Sequence, residues 1–367
     1  FINDKRFQIL IYHWSESRGL CWARSQTQSL YRGETYTLQI DSHVRFAPNW
    51  DELLIGMLPL TESKKPLLTA YPAPFDPLDE TTLPNIPHKI VPNFFTPEGL
   101  IYFRPEKIRE SQLGNKPIRA CFVAGGFFFT IGRHCREYHY DPQMYFSQDE
   151  ISLSLRSFTL GYDFFHPHIN VLWHEYYREG KPKHWEDHNH KQKEAGKVDT
   201  VWSELNATAK QRMRQLFQQE DTGIDLGPFG LGTERSLAEY ERYSGIDFKN
   251  KRIQNHTLLG CEPPAPYYSH DTWEAGFAKE HTISAVWDRE KLEAADDYSF
   301  WYFGVEDEKG IVLHREDITG DRLNKYLNDG TAGITVKFLS ASIPYKWILW
   351  PVSQSRGWLQ RIEGQIK

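Results

Sequence analysis

The residues best suited to chemistry follow a short apolar run, Tyr36-Thr-Leu-Gln-Ile40, and are Asp41, Ser42 and His43. In an extended segment, residues two positions apart point to the same side, so Asp41 and His43 are expected to converge while Ser42 faces away. A carboxylate and an imidazole at one sheet edge supply an oxygen and a nitrogen ligand for a divalent metal. The Asp-x-His pattern alone is more often a turn with a surface histidine than a metal site, so its interpretation depends on the rest of the chain.

The elements that must position Asp41 are predicted from the residues before it. Residues 7–12 (Phe-Gln-Ile-Leu-Ile-Tyr) predict a short buried strand, and the segment from about Leu20 to Tyr31 predicts a helix that ends before Gly33. With the run that leads to Asp41, this gives a strand-helix-strand order typical of a nucleotide-binding α/β sheet, in which ligands collect at carboxyl strand ends. Only one such unit precedes Asp41, so we expect the protein to have upstream sequence missing from this chain.

Three further positions could share a site with Asp41. Gly125 and Gly126 follow a predicted strand and would permit close approach of a ligand to the backbone, although they also suit a bulge or tight turn. Asp149 and Glu150 open a predicted helix, where acids also favour the macrodipole. His174 ends an extended segment much as His43 nearly ends another, and the basic, glycine-bearing segment 178–185 is expected to cover an anionic ligand.

Composition restricts the class of protein. The 367 residues carry a formal net charge of -6, which argues against nonspecific nucleic-acid binding. The chain has no 18-residue apolar run, so no membrane span is predicted. Its four cysteines have neither CxxC spacing nor a disulfide framework, which favours a reducing, cytoplasmic location.

Several motifs occur in a specific order, and together they resemble retaining GT-A glycosyltransferases that glycosylate polypeptides. The Asp-Ser-His form resembles the metal motif of polypeptide N-acetylgalactosaminyltransferases. The closer resemblance, over roughly residues 7 to 260, is to the Skp1-type polypeptide (hydroxyproline) N-acetylglucosaminyltransferase family. The motifs that carry it are Cys-Trp-Ala-Arg24, Tyr-Arg-Gly-Glu34, Gln-Ile-Asp-Ser-His43, Tyr-Asp-Pro-Gln-Met-Tyr-Phe146, Asp-Glu-Ile-Ser-Leu153 and the segment from Tyr240 to Phe248.

The resemblance implies a metal site and a donor. Asp41, His43 and His174 would hold a divalent cation, Mn²⁺ or Mg²⁺, against the diphosphate of a UDP-sugar, with UDP-GlcNAc as the expected donor. Imidazole ligands suit manganese better than magnesium. Ser42 is implied to face the ribose or the sugar.

The resemblance also implies roles for the other candidates. Asp149 and Glu150 would lie beside the donor sugar and stabilise an oxocarbenium-like transition state. The family has acids at both places, with Glu more usual at the first, so it stays open which acid contacts the sugar. The remaining residues implied to bind the UDP-sugar are Arg18, Arg24, Gly125, Gly126, Tyr177 and Arg178.

The implied fold class is α/β, a GT-A glycosyltransferase domain with a Rossmann-like nucleotide-binding sheet. We predict a catalytic domain over residues 1–190, a helical extension and linker over 191–266, and a small, mostly β accessory domain over 267–367. Aromatic residues in the last part, Trp347 to Trp350 and Trp358, suit either an acceptor platform or a core strand with its neighbours, and the core is favoured.

The predicted function is retaining transfer of GlcNAc, or another HexNAc, to a hydroxyl of a protein acceptor such as hydroxyproline, Ser or Thr. No residue is assigned as general base. If the acceptor attacks on the front face of the donor sugar, a β-phosphate oxygen of the donor can take the acceptor proton. Two alternatives stay open: a glycan-extending transferase for a capsule or O-antigen polysaccharide, and a non-catalytic glycan- or protein-binding scaffold.

Overall fold

The structure is a computed structural model that describes residues 4–79, 83–96, 98–176, 183, 185–328 and 332–366. The chain divides into two compact units, Phe1–Tyr267 and Tyr268–Lys367. The mixed α/β class predicted from the sequence is confirmed. The assignment of a catalytic domain, a helical extension and an accessory domain stays a prediction. None of the described helices is long and apolar enough to cross a membrane.

The first unit contains helices and short strands in alternation. Its helices are α1 (Leu20–Gln28), α2 (Trp50–Leu60), α3 (His134–Glu137), α4 (Asp149–Thr159), α5 (His190–Glu194), α6 (Trp202–Leu216), α7 (Leu237–Ser244) and α8 (Asn255–Leu258). Its strands are β1 (Tyr36–Ile40), β2 (Val44–Phe46), β3 (Pro66–Thr69), β4 (Ala73–Pro74), β5 (His88–Phe95), β6 (Ile101–Lys107), β7 (Ile118–Arg119), β8 (Phe127–Ile131), β9 (Asp163–His166), β10 (Leu172–His174), β11 (Ile246–Asp247) and β12 (Arg252–Ile253).

Two sheets of this unit position the candidate residues. A five-stranded sheet has the order β1-β8-β3-β9-β7 and is mixed, because β3 and β9 are parallel while the other neighbours are antiparallel. A three-stranded sheet has the order β2-β10-β4. The chain leaves the first sheet at the end of β1 and enters the second at β2, so Asp41, Ser42 and His43 form the connection between the two sheets.

Helix α4 lies in the interior of the unit. Each of its residues except Glu150 is buried, and Ser152 and Ser154 donate their hydroxyls to carbonyls of the first turn. Ser154 donates to the carbonyl of Glu150 at 2.6 Å and accepts the backbone N–H of Val123 at 2.8 Å. This contact ties the segment before Gly125 to the first turn of α4, and it fixes the glycine pair beside the acids that open the helix.

The strand predicted at residues 7–12 is absent, and that prediction was wrong. The segment forms no β-ladder within the described residues, and its apolar side chains are exposed, with Ile11 at 86%. An apolar run becomes a strand only where a neighbour pairs its backbone groups. The strand-helix-strand order expected before Asp41 therefore does not form, and β1 pairs antiparallel with the later strand β8.

The second unit consists mainly of strands. Its elements are α9 (His270–Ala275), β13 (Lys279–Val286), β14 (Tyr298–Glu306), β15 (Val312–Ile318), α10 (Gly320–Asn328), β16 (Gly333–Ser340), β17 (Lys346–Ser353), β18 (Gly357–Trp358) and β19 (Ile362–Gln365). Strand β14 pairs with β15 and β17, and β17 also pairs with β18 and β19. A core of buried side chains, among them Trp287, Trp301, Phe303 and Trp347, packs on one face of these strands.

Candidate active site

Three potential metal ligands converge where the two sheets of the first unit meet. One ligand atom from each of Asp41, His43 and His174 lies within 4.8 Å of the others. Strand pairing explains this, because β2 begins directly after His43 and places Val44 opposite His174 on β10. The two imidazole rings lie 4.4 Å apart, centroid to centroid. The convergence expected of Asp41 and His43 is therefore present, and His174 completes the group.

The protonation chemistry of this cluster suits a cation. Nε2 of His174 lies 3.3 Å from Oδ2 of Asp41, while Nδ1 of His174 is buried and has no hydrogen-bond partner within the described part of the chain. The hydrogen bond with His174 lowers the pKa of Asp41 against the opposing effect of burial, and the charge of Arg24 adds to the lowering. An ionised carboxylate and two imidazoles whose ligand atoms converge fit the donor set of a divalent metal.

Arg24 lies between the metal-ligand candidates and the acids of α4. Its guanidinium forms an ion pair with Asp149, lies 3.6 Å from Oδ1 of Asp41, and donates to the carbonyl of Gly125 at 2.7 Å. The side chain is 10% exposed and that of Asp149 is 3% exposed, so the pair is buried. We expected Arg24 to contact the nucleotide, and the structure gives it the additional role of counter-ion to two carboxylates.

The two glycines leave room for these carboxylates. A Cβ atom at Gly126 would lie 2.9 Å from Oδ2 of Asp41, and one at Gly125 would overlap Asp149 and lie 2.7 Å from Nη1 of Arg24. Any other residue at either position would displace a charged side chain. The glycine pair was predicted to admit a sugar, and its observed role in this structure is the close approach of Asp41 and Asp149 to the backbone.

Glu150 occupies a different environment from Asp149. Its carboxylate accepts the backbone N–H of Gly125 at 2.9 Å and the hydroxyl of Tyr71. Burial raises the pKa of Glu150 to about 7, although both of these hydrogen bonds act in the opposite direction. An acid with a pKa near neutrality beside a candidate metal site is a common feature of catalytic centres.

A groove with a volume of about 610 Å³ runs between α1 and β1. Its lining includes Arg24, Asp41 and Ser42. Ser42 is exposed, with its hydroxyl 3.4 Å from Nδ1 of His43. The groove is wide enough for a nucleotide and opens directly beside the cluster of Asp41, His43 and His174.

Not every predicted residue joins this arrangement. Arg18 is exposed in the segment before α1 and does not line the groove. Tyr177 and Arg178, with most of the predicted covering loop, lie outside the described residues.

Gln39 and Tyr140 begin two of the quoted motifs but were assigned no role from the sequence, and Tyr71 was not singled out. The amide of Gln39 donates to the carbonyl of Gly125 at 2.7 Å, and Tyr140 donates to Gln39 at 2.9 Å. The only sequence signal for Tyr71 was its place at the end of a predicted strand.

The family model Glycosyltransferase (GlcNAc) matches residues 2–250 of the chain. The chain belongs to this family. The predicted glycosyltransferase class is thereby confirmed at the level of the family, whose match includes every candidate site residue. A search of curated proteins finds no match.

Among solved structures, this member of the Glycosyltransferase (GlcNAc) family is similar to the crystal structure of GalNAc-T7 with UDP, GalNAc and Mn²⁺. The sequence identity is 15% and the TM-score is 0.35. The match covers 61% of this chain and 41% of GalNAc-T7, so the chain spans less than half the length of that protein.

Replacing Gly126 with alanine tests the contact between the glycine pair and Asp41. The new Cβ would force the Asp41 carboxylate away, so we expect Gly126→Ala to weaken Mn²⁺ binding about tenfold or more. Calorimetric titration with Mn²⁺ measures this effect. The matched control is Gly56→Ala in α2, where a Cβ meets nothing within 4 Å. Equal Mn²⁺ affinity in Gly126→Ala and the wild type would contradict the contact.

The raised pKa of Glu150 predicts a pH dependence of folding. In the unfolded chain this carboxyl ionises near 4.5, whereas in the folded protein it ionises near 7. Between these pH values the folded state binds more protons, so the free energy of unfolding falls as the pH rises, by about 3 kcal/mol from this group. The fall is complete above about pH 7.

Denaturation by urea in EDTA, at about pH 5 and about pH 8, measures this effect in the wild type and in Glu150→Gln. We expect Glu150→Gln to gain stability relative to the wild type at the higher pH. A difference between the two proteins that does not change with pH would show that the pKa of Glu150 is not raised.

Proposed function

We propose that this protein is a metal-dependent, retaining glycosyltransferase of the GT-A type, which transfers GlcNAc from UDP-GlcNAc to a hydroxyl of a protein acceptor. The observation that carries the proposal is the group of Asp41, His43 and His174, of which Asp41 also lines the groove, in a member of the Glycosyltransferase (GlcNAc) family. The Skp1-type resemblance supports hydroxyproline, Ser or Thr as the acceptor residue.

The cluster would hold one divalent cation, with Mn²⁺ favoured over Mg²⁺ because two of its three ligands are imidazoles. When bound, such a cation neutralises the charge that develops on the UDP leaving group. Arg24 orients the adjacent carboxylates through its ion pairs, and its positive charge disfavours a second cation between Asp41 and Asp149.

Glu150 is the acid we assign to the donor sugar. It is the one residue of α4 that keeps partial exposure, and its carboxylate is held by Gly125 and Tyr71, with no ion pair to it among the described residues. Such a group can bind a sugar hydroxyl and stabilise positive charge at the anomeric carbon. Asp149 would act through Arg24 as a positioning residue.

The reaction class is tested by release of UDP from UDP-GlcNAc by the purified protein, in Mn²⁺ and in EDTA. We expect release in Mn²⁺ only. If no release, no transfer and no Mn²⁺-dependent UDP binding is found, the protein is a scaffold and the proposed function fails.

The acceptor is tested separately by incubating the protein with labelled UDP-GlcNAc and a lysate of the host. We expect label in protein. Label in polysaccharide would instead support a transferase that extends a capsule or O-antigen glycan. A cytoplasmic location also remains a proposal from the sequence, and fractionation of host cells would test it.

A further inference from the structure

The second unit carries aromatic side chains on the sheet face opposite its core. Successive residues of a strand point to opposite faces, and on β14 Trp301 and Phe303 are buried in the core. Phe300 and Tyr302 therefore point away from the core, and so does Trp350 on β17, which pairs with Tyr302. All three are partly exposed. With the tryptophan of β18 they form what we call the aromatic face: Phe300, Tyr302, Trp350 and Trp358.

Trp358 is the centre of the aromatic face. Its ring centroid lies 4.4 Å from that of Trp350, 5.7 Å from that of Phe300 and 6.4 Å from that of Tyr302. The side chain is 51% exposed, although tryptophan is a residue that proteins bury where they can. The indole N–H of Trp350 donates to the carbonyl of Leu359 at 2.8 Å, which fixes the orientation of that ring. The face is therefore apolar, accessible and preorganised.

Ion pairs border the aromatic face on two sides. Arg315 lies over the ring of Tyr302 at 5.3 Å and pairs with Asp317 at 3.1 Å. Arg361 lies over the ring of Trp350 at 5.8 Å and pairs with Glu363 at 2.9 Å. The charge of each arginine is thus neutralised by a carboxylate. Both ion pairs place hydrogen-bond donors and acceptors beside the aromatic rings.

The net charge of the unit argues against a polyanion as the ligand. Residues 268–367 contain 12 Lys and Arg against 16 Asp and Glu, a net charge of -4. Nucleic acids and sulfated glycans require an excess of positive charge on the protein. A hydrophobic protein surface could pack on the rings, but it would offer no hydrogen-bonding groups to the flanking ion pairs.

We propose that the aromatic face binds a neutral glycan. The C–H faces of hexopyranose rings would pack on Trp358 and its neighbours, while sugar hydroxyls would hydrogen-bond to the Arg315–Asp317 and Arg361–Glu363 pairs. The membership of the chain in a glycosyltransferase family makes a glycan a ligand of the right chemical class. This site lies in a different unit from the candidate active site and goes beyond the proposed transfer reaction.

The test is binding of neutral oligosaccharides to the full chain, measured by saturation-transfer NMR and calorimetry without UDP or metal. The probes are β1,4-linked GlcNAc tetramer and cellotetraose, with a heparin tetrasaccharide as the anionic comparison. We expect at least one neutral probe to bind, and Trp358→Ala to weaken that binding at least about tenfold. Trp358→Tyr, which keeps a ring, is expected to retain most of the affinity.

The matched control is Tyr268→Ala, which removes an aromatic residue that is 86% exposed in the same unit. It should bind the neutral probe as the wild type does, and far-UV circular dichroism checks the fold of each variant. The proposal is overturned if neither neutral probe binds, if only the heparin fragment binds, or if folded Trp358→Ala keeps wild-type affinity. Because no donor or metal is present, failure of the proposed transferase activity leaves this test unaffected.

Discussion

Asp41→Asn is expected to lower Mn²⁺-dependent turnover of UDP-GlcNAc by at least about a hundredfold. The substitution keeps the size of the side chain but removes the single negative charge among the three candidate ligands. It also removes a carboxylate whose pKa is lowered by the hydrogen bond with His174 and by the charge of Arg24. The rate constant at saturating donor, with Mn²⁺ varied, measures the loss.

Stability should change little in Asp41→Asn, because the side chain is one-third exposed and Arg24 keeps its ion pair with Asp149. The control is Asp51→Asn, which neutralises an exposed acid in the first turn of α2. We expect wild-type turnover from Asp51→Asn. If folded Asp41→Asn also turns over at a rate within a few-fold of the wild type, Asp41 is not a metal ligand.

The second large effect separates the two acids that open α4. Asp149→Asn leaves the guanidinium of Arg24 buried, with Asp41 at 3.6 Å as its remaining carboxylate neighbour. Breaking a buried ion pair from one side lowers the free energy of unfolding by about 3–5 kcal/mol. We therefore expect Asp149→Asn to be strongly destabilised, as measured by urea denaturation.

Glu150→Gln should behave in the opposite way. The amide oxygen can still accept the N–H of Gly125, and the amide NH2 can donate to the hydroxyl oxygen of Tyr71, so the fold is retained. The negative charge that would stabilise the transition state is lost, and we expect turnover to fall about a hundredfold. Glu52→Gln, at an exposed acid of α2, is the matched control. If Glu150→Gln is fully active and Asp149→Asn is stable but inactive, the roles are reversed. Asp149 would then be the acid beside the donor sugar and Glu150 the positioning residue.

The local sequence pattern was sufficient to predict those site residues that lie at the ends of strands or at the start of a helix. The β-prone run before Asp41 forms β1, the acids Asp149 and Glu150 open α4, and His174 ends β10. Each of these follows from residue types that are neighbours along the chain. Their joint position could be proposed only because the motifs occur in the order of a known family.

The interactions that connect these elements could not be predicted from local pattern. Arg24 pairs with Asp149, a residue 125 positions away, and Tyr71 reaches Glu150 across 79 positions. Antiparallel pairing of β1 with β8 likewise depends on which strands become neighbours in the folded chain. Periodicity indicates whether a segment favours a strand or a helix, but it does not indicate which strand it pairs with. Segment 7–12 is an example, because its β-prone residues form no ladder among the described residues.

The most direct test of the central claim is calorimetric titration of UDP into the protein, in Mn²⁺ and in EDTA. We expect Mn²⁺ to strengthen UDP binding at least about tenfold in the wild type and in His139→Ala, a control at an exposed histidine. We expect His174→Ala to abolish this difference. Equal UDP affinity in Mn²⁺ and EDTA, or undiminished Mn²⁺ dependence in folded His174→Ala, would contradict a metal site formed by Asp41, His43 and His174.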